Sequence, residues 1–335
     1  MEVINCSIYR TIAINYVRNS ISSQVVITPK PDLVTFTTMD HALYAYSALP
    51  TRPRVPAGMR PGLTAYVVLF LEHWDFEPPA EALRDPRLVG EFGSFSPDYR
   101  SWTQREYGLR VGVFRVMDAL KAAGIRPAIA ANAMAVQRLP KLVAAFNDWG
   151  CEWLAHGLAS TRMMHSGQTL AEQRAHIEAS VSALTQATGH TPIGWVSQDW
   201  GTTPDTPALL AQAGLQYTLD WGNDDQPYWM EAQDNTPRLL ATPLSSEWDD
   251  VQCQWLRHIE PRAYADLALS AFERLHLECA QQQRAAVFGL ALHPWLSGMP
   301  SRIAALRSLL TRLRAQPDVL WTDPGEIFQA MNRSN

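Results

Sequence analysis

The sequence predicts an α/β protein, a distorted (β/α) barrel of about seven strand–helix units. Short apolar runs rich in β-branched and aromatic residues recur along the chain, as in strands buried on both faces. Amphipathic stretches at helical spacing separate them, most closed by a glycine. No glycine-rich turn follows the first run, so a dinucleotide-binding or P-loop fold loses support. Strand alternating with helix implies parallel strands, and this many units suit a closed or nearly closed barrel better than an open sheet.

Residues 1–41 show weak periodicity and read as an N-terminal extension or surface arm; the barrel domain is expected over 42–335. Pro50, Pro53, Pro56 and Pro61 mark an extended lead-in to the first strand, Ala65–Leu71. That run stops at Glu72-His73-Trp74-Asp75 and is followed by a long connection over 75–108. Val111, Phe114, Met117 and Leu120 then give a helix stopped by Gly124, followed by a strand to Ala131 and Asn132. Leu142, Val143 and Phe146 form a helix ending at Gly150, and Cys151–Ala155 a strand ending at His156-Gly157.

Thr169 with Glu172 is a capping box opening a helix that stops at Gly189. The strand Pro192–Val196 ends at Ser197-Gln198-Asp199-Trp200, and Pro207 opens a helix that reaches Gly214. Leu215–Leu219 leads to Asp220-Trp221 and the polar turn Asn223–Pro227. A strand over Leu239–Pro243, a helix over 262–283 and the strand Ala286–Leu292 follow, the last ending at His293-Pro294. Helix 301–313, strand Val319–Trp321 and a helix near 325–332 close the chain.

Composition narrows the partners. Charged residues are 18%, hydrophobic ones 47% and the net charge is −5 with no Lys/Arg run, which disfavours nucleic acid and anionic membrane. No apolar run reaches the roughly eighteen residues a membrane span needs. The N-terminus lacks the basic-then-apolar layout of a signal peptide, and the four cysteines form no CxxC, so a reduced cytoplasmic protein is expected. Of twelve tryptophans, Trp74, Trp200, Trp221, Trp229 and Trp295 fall in predicted loops, where an apolar-walled pocket uses them.

In parallel α/β folds the reactive site collects at the carboxyl ends of the strands. Glu72, His73, Asn132, His156, Asp199, Asp220 and His293 occupy those ends, far apart in sequence. His165 reads as a loop group, and His176, His190, His258 and His276 as surface groups. Asp224 and Asp225 lie either in a plain turn or on a substrate wall. There is no His-Glu-x-x-His and no Gly-x-Ser-x-Gly, which removes a self-contained zinc motif and a serine-hydrolase elbow.

Several segments in this order carry a family resemblance: Leu71–Trp74, Tyr107–Val113, Ala155–Gly157, Gly194-Trp195, Pro204–Pro207, Asp224–Trp229 and Leu292–Arg302. Over residues 42–330 the chain resembles the polysaccharide deacetylase (NodB-like) superfamily, and within it the branch with metal-independent allantoinase and cyclic imide hydrolase. The resemblance implies a distorted (β/α) barrel. Superfamily deacetylases hold a metal with one aspartate of a pair and a His-x-x-x-His pair; here Glu72-His73 stands near the first position and Ser160 stands four residues after His156.

The expected activity is hydrolysis of a non-peptide carbon–nitrogen bond in a small cyclic or linear amide. Such a reaction needs an activated water, a stabilised oxyanion and a proton for the leaving nitrogen. Glu72 is expected to activate the water, His293 to donate the proton or hold the oxyanion, and His156 to position substrate or hold a metal. Trp200, Trp229, Trp295, Asp224 and Asp225 are expected to wall the pocket, with Arg110 or Arg302 anchoring an anionic group. No cofactor is expected; a zinc or other divalent ion on His73 and His156 is the alternative. The rival readings are a metal-dependent N-deacetylase of an acetylated sugar and an inactive barrel that binds a small amide. A homo-oligomer is expected from the resemblance.

Overall fold

The computed structural model describes residues 39, 41–80, 82, 97–231 and 236–334. The expected N-terminal arm, apart from Met39 and His41, lies outside them.

A sheet of nine strands curls around one interior. Its strands are β1 (Gly62–Leu71), β2 (Ala128–Ala131), β3 (Trp153–Ala155), β4 (Gly194–Trp195), β5 (Tyr217–Thr218), β6 (Tyr228–Trp229), β7 (Leu240–Ala241), β8 (Ala285–Leu292) and β9 (Leu320–Trp321). The spatial order is β6-β7-β5-β4-β3-β2-β1-β8, with β9 on β1. All pairings are parallel except β6 with β7. β8 runs along Gly62–Leu69 of β1, so β9 (at Thr64–Ala65) and β2 (at Val68–Leu71) share the opposite edge. The outer edge of β8 meets the loop before β6, where the Val287 N–H donates to the Asp225 carbonyl at 2.8 Å. The result is the expected distorted barrel, curled rather than fully closed.

The helices are α1 (Tyr99–Tyr107), α2 (Val113–Ala123), α3 (Ala133–Arg138), α4 (Pro140–Asp148), α5 (Leu170–Thr188), α6 (Thr206–Gln212), α7 (Pro261–Gln282), α8 (Pro294–Ser297), α9 (Ile303–Arg314) and α10 (Pro324–Asn332). The capping box of α5 forms as expected, with Thr169 and Glu172 each satisfying the other's backbone N–H. α1 falls inside the stretch expected to be irregular. Its N-cap is Asp98, whose side chain accepts the Ser101 N–H. No helix among the described residues is long and apolar enough to cross a membrane.

β1 is buried from Leu63 to Leu71, and strand alternation divides it. Leu63, Ala65, Val67, Leu69 and Leu71 face the helices in the larger core. Tyr66, Val68 and Phe70 face the barrel interior with Ala128, Ala130, Leu154, Val196, Tyr217 and Ala291. Tyr66 plugs that interior by donating its hydroxyl to the Pro243 carbonyl at 2.6 Å.

A second packing feature places α8 against the helical layer. Residues Gly108–Gly112 make a π-type turn between α1 and α2. A Cβ at Gly108 would lie 2.5 Å from the Trp295 nitrogen, one at Gly112 would strike the Pro294 carbonyl oxygen, and one at Gly298 would strike Gly112 itself. Three glycines therefore let two backbones touch. Gly112→Ala should destabilise the fold by about 1–3 kcal/mol, the usual cost of overpacking, read as a lower urea midpoint. A midpoint equal to wild type would show that this contact relaxes freely.

Candidate active site

The alternation that sorts β1 continues past its end. Glu72 follows Phe70 on the inner face, whereas His73 follows Leu71 on the outer one. The same parity turns His156 inward after Leu154, and His293 inward after Val287 and Ala291. Glu72, His156 and His293 line one cleft at the carboxyl ends of the strands, together with Trp200 and Trp295. Its empty space is about 580 Å³, counting the part open to solvent. Phe70 floors it, its ring stacked on His293 at 4.3 Å and edge-on to His156 at 5.0 Å.

Glu72 sits in a dense set of partners. The Ser160 hydroxyl lies 3.1 Å from its Oε1 and the Trp295 indole N–H 3.3 Å from its Oε2. Burial pushes the Glu72 carboxyl up, but hydrogen bonding with His156 and the charges of His293, His156 and Arg105 overcome this and hold it at about 2. It is an anion at any working pH.

His156 bonds through Nδ1 to the Val196 carbonyl at 2.7 Å. A carbonyl only accepts, so Nδ1 carries a proton and Nε2 is the atom left to face Glu72. That atom is buried without a hydrogen-bond partner, 3.7 Å from Glu72 Oε1.

His293 is held from behind by Asp250. Its Nδ1–H donates to Asp250 Oδ1 at 2.6 Å and its backbone N–H to Oδ2 at 2.8 Å, and the Ser297 hydroxyl also bonds Oδ2. Burial lowers the His293 pKa, yet Asp250, Asp249 and Glu72 outweigh it and raise it to about 9. The ring is an imidazolium at neutral pH, with Nε2–H left for the cleft that it lines. Asp249 is pushed up by burial and by Asp250, against the pull of His293.

Arg105 on α1 completes the wall. It is 3% exposed, and its guanidinium lies over the Trp295 ring at 3.3 Å and the Trp74 ring at 4.7 Å. Burial lowers its pKa to about 10, so it stays cationic. Asp199 and Trp200 both take left-handed φ (46° and 52°), a strained turn that sets Trp200 on the cleft wall.

Other strand-end residues serve as braces. Asn132 Oδ1 accepts the His73 N–H at 2.8 Å, and its amide donates to the His156 carbonyl. Asp220 accepts both the N–H and the hydroxyl of Ser197, at 2.7 and 2.9 Å, which ties β4 to β5 off the cleft wall. His176, expected at the surface, is buried and accepts the Leu158 N–H at 3.3 Å.

Six expected site residues lie elsewhere. His73 turns outward, bonded to Arg138 and 3.7 Å from Asp75, so it does not join His156 as a metal ligand. Asp224 pairs with Arg52, and Asp225 lies 3.6 Å from Arg284 with its carbonyl on Val287. Both therefore sit beside the amino end of β8, the far end of the barrel. Trp229 packs on Phe328 there, its strand paired with β7. Arg110 is exposed on the π turn. Arg302 feels the Asp250 charge but is off the cleft wall. Asp250 and Arg105 were missed: Asp250 follows β7 by a winding connection, and Arg105 sits in a helix hidden in an irregular-looking stretch.

A zinc site needs three good donors. Glu72 and His156 supply two, and the next group at hand is the Ser160 hydroxyl. Among the described residues, the one cluster of three ionisable donors within 4.8 Å is Asp249, Asp250 and His293. There the Nδ1 of His293 is already committed to Asp250 at 2.6 Å. The residues present do not complete the deacetylase metal set.

No protein-family model matches the chain. A Schizosaccharomyces pombe protein described as a "Putative polysaccharide deacetylase" is 25% identical over 242 residues, covering 67% of this chain and 74% of that protein. The crystal structure of PuuE allantoinase superposes with a TM-score of 0.74 at 25% identity, covering 86% of this chain and 96% of that one. A "probable Polysaccharide deacetylase" from Pseudomonas aeruginosa PAO1 shares the fold at TM-score 0.74 and 24% identity, over 86% of this chain and 97% of its own. The chain is thus similar in sequence to a putative polysaccharide deacetylase and in fold to PuuE allantoinase. Deacetylases and allantoinase are hydrolases of carbon–nitrogen bonds other than peptide bonds, and the expectation of such an enzyme agrees with them.

The Asp250–His293 pair sets a titration that can be measured. The folded pKa of about 9 lies above the ordinary 6.5, so the pair's stabilisation is complete below pH 6.5 and is lost as pH rises through 9. In Asp250→Asn the His293 ring should titrate lower by about one unit or more in NMR, because its main cationic support is gone. An unchanged midpoint would show that another group holds the proton.

Proposed function

We propose that the chain hydrolyses an amide carbon–nitrogen bond in a small molecule, using its own side chains to activate water. The observation that carries this reading is the meeting of an ionised Glu72 and a protonated His293 across one cleft, 221 residues apart in sequence (293 − 72). Two titratable groups pushed to opposite ends of the scale are what paired acid and base chemistry needs.

Glu72 Oε1 and His156 Nε2 lie 3.7 Å apart, a spacing that lets one water contact both. That water would present its lone pair to a carbonyl carbon lodged over Phe70. As its oxygen attacks, a proton passes to Glu72 and the carbonyl electrons move onto oxygen, where the His293 Nε2–H faces the new charge. His293 then gives its proton to the departing nitrogen and the carbon–nitrogen bond breaks. Asp250 keeps the ring in the tautomer that can donate.

Two rival readings lose ground on these residues. A metal-dependent sugar deacetylase calls for a third donor where Ser160 stands. An idle binding barrel gives no reason for a buried imidazolium supported by a buried carboxylate facing an ionised acid.

Glu72→Gln should lower kcat by about a thousandfold or more while circular dichroism and the melting curve stay near wild type. Wild-type turnover of allantoin, hydantoins, cyclic imides or N-acetyl sugars should persist in protein stripped with a chelator, and should fall as pH passes 9 and His293 loses its proton. Normal turnover by the Gln variant, or activity restored only by zinc, would sink the assignment.

A further inference from the structure

The cleft contains a cation that the reaction above does not use. Arg105 is buried to 3% exposure on the cleft wall, yet its Nε and Nη1 have no hydrogen-bond partner. Its neighbours are aromatic: Trp295, Trp74 and Trp255, at 3.3, 4.7 and 5.5 Å from the guanidinium carbon. Stacking on rings offsets part of the desolvation of a guanidinium, but leaves its in-plane N–H groups unsatisfied. Buried cations are ordinarily paired, because an unpaired one costs several kcal/mol. Glu72, the anion whose charge Arg105 feels most, makes no hydrogen bond to it and has its own donors in Ser160 and Trp295.

We infer that Arg105 is a specificity residue that receives a carboxylate on the substrate, so that the amide hydrolysed is one carrying a negative charge beside its reacting carbonyl. The inference rests on the amide-hydrolase reading for the reacting group, but not for the anion. A carboxylate takes two planar N–H bonds from a guanidinium, with a geometry no ammonium or neutral amide reproduces. The indoles would bracket the carbon skeleton between that anchor and the Glu72–His293 pair. Anchoring at Arg105 also keeps the charge of the substrate off Glu72, whose two oxygens are turned to Ser160 and Trp295.

The test uses matched pairs that differ only in charge: succinamate against succinamide, N-acetylglycine against N-acetylglycinamide, and hydantoin-5-acetate against its carboxamide. Binding is read by tryptophan fluorescence, since Trp74 and Trp295 touch the guanidinium, and turnover is read as kcat/KM. In wild type the carboxylate member of at least one pair should bind about ten- to a hundredfold more tightly than its carboxamide, the range of a charge-assisted hydrogen bond. In Arg105→Gln that ratio should fall to near one, and Arg105→Lys should keep part of it. Carboxylate preference without turnover would uphold the anchor and overturn the hydrolase reading. Turnover with no carboxylate preference in any pair, no preference in binding, or a preference that survives Arg105→Gln, would overturn the anchor.

Discussion

Side chains on a strand alternate, and at the mouth of this barrel that alternation decides which groups can react. β1 carries Tyr66, Val68 and Phe70 on its inner face, so Glu72 enters the cleft and His73 is turned to Arg138 and Asp75. β3 and β8 present His156 and His293 by the same count. A slip of one residue in any of these strands would replace an ionisable group by its neighbour and bury a charge among the outer helices. The long register between β1 and β8, from Gly62 with Ala285 to Leu69 with Leu292, guards against it.

Electrostatics then follow from who faces whom. Glu72 and His293 stabilise each other's charged forms, each against the desolvation that opposes it. The coupling has a consequence for the reaction. A carboxylate held at about 2 is a poor proton acceptor, but part of what holds it there is the charge on His293. As His293 passes its proton to the leaving nitrogen, that charge disappears and Glu72 becomes the stronger base. Acid and base are therefore linked: spending one proton helps to retain the other.

Most of the frame was legible because its signals are local. The apolar runs, the capping box at Thr169 and the glycine stops at Gly124 and Gly189 each act within one turn or one strand, and each forms where expected. The choice between Glu72 and His73 was not legible. β1 is apolar on both faces, so its sequence has no alternation to tell inner from outer. Asp224, Asp225 and Trp229 were misplaced for a related reason: the loop after β5 turns back down the barrel before the antiparallel β6, which carries those residues away from the strand tips. Asp250 escaped because a short 3-10 turn separates it from β7, and Arg105 because its partners are tryptophans far along the chain.

The cleft is thus assembled from two kinds of support. Strand ends hold Glu72, His156 and His293, whereas Arg105 and Trp295 stand on helices joined through the contact of Gly108 and Gly112 with α8. Parallel strands leave little freedom, since moving one residue moves every hydrogen bond in its ladder. The helical wall is tied to those tips as well, since α8 has His293 as its N-cap and Ser297 shares Asp250 with it. Trp295 bonds Glu72 and stacks on Arg105 at once, so a single side chain bridges the two walls.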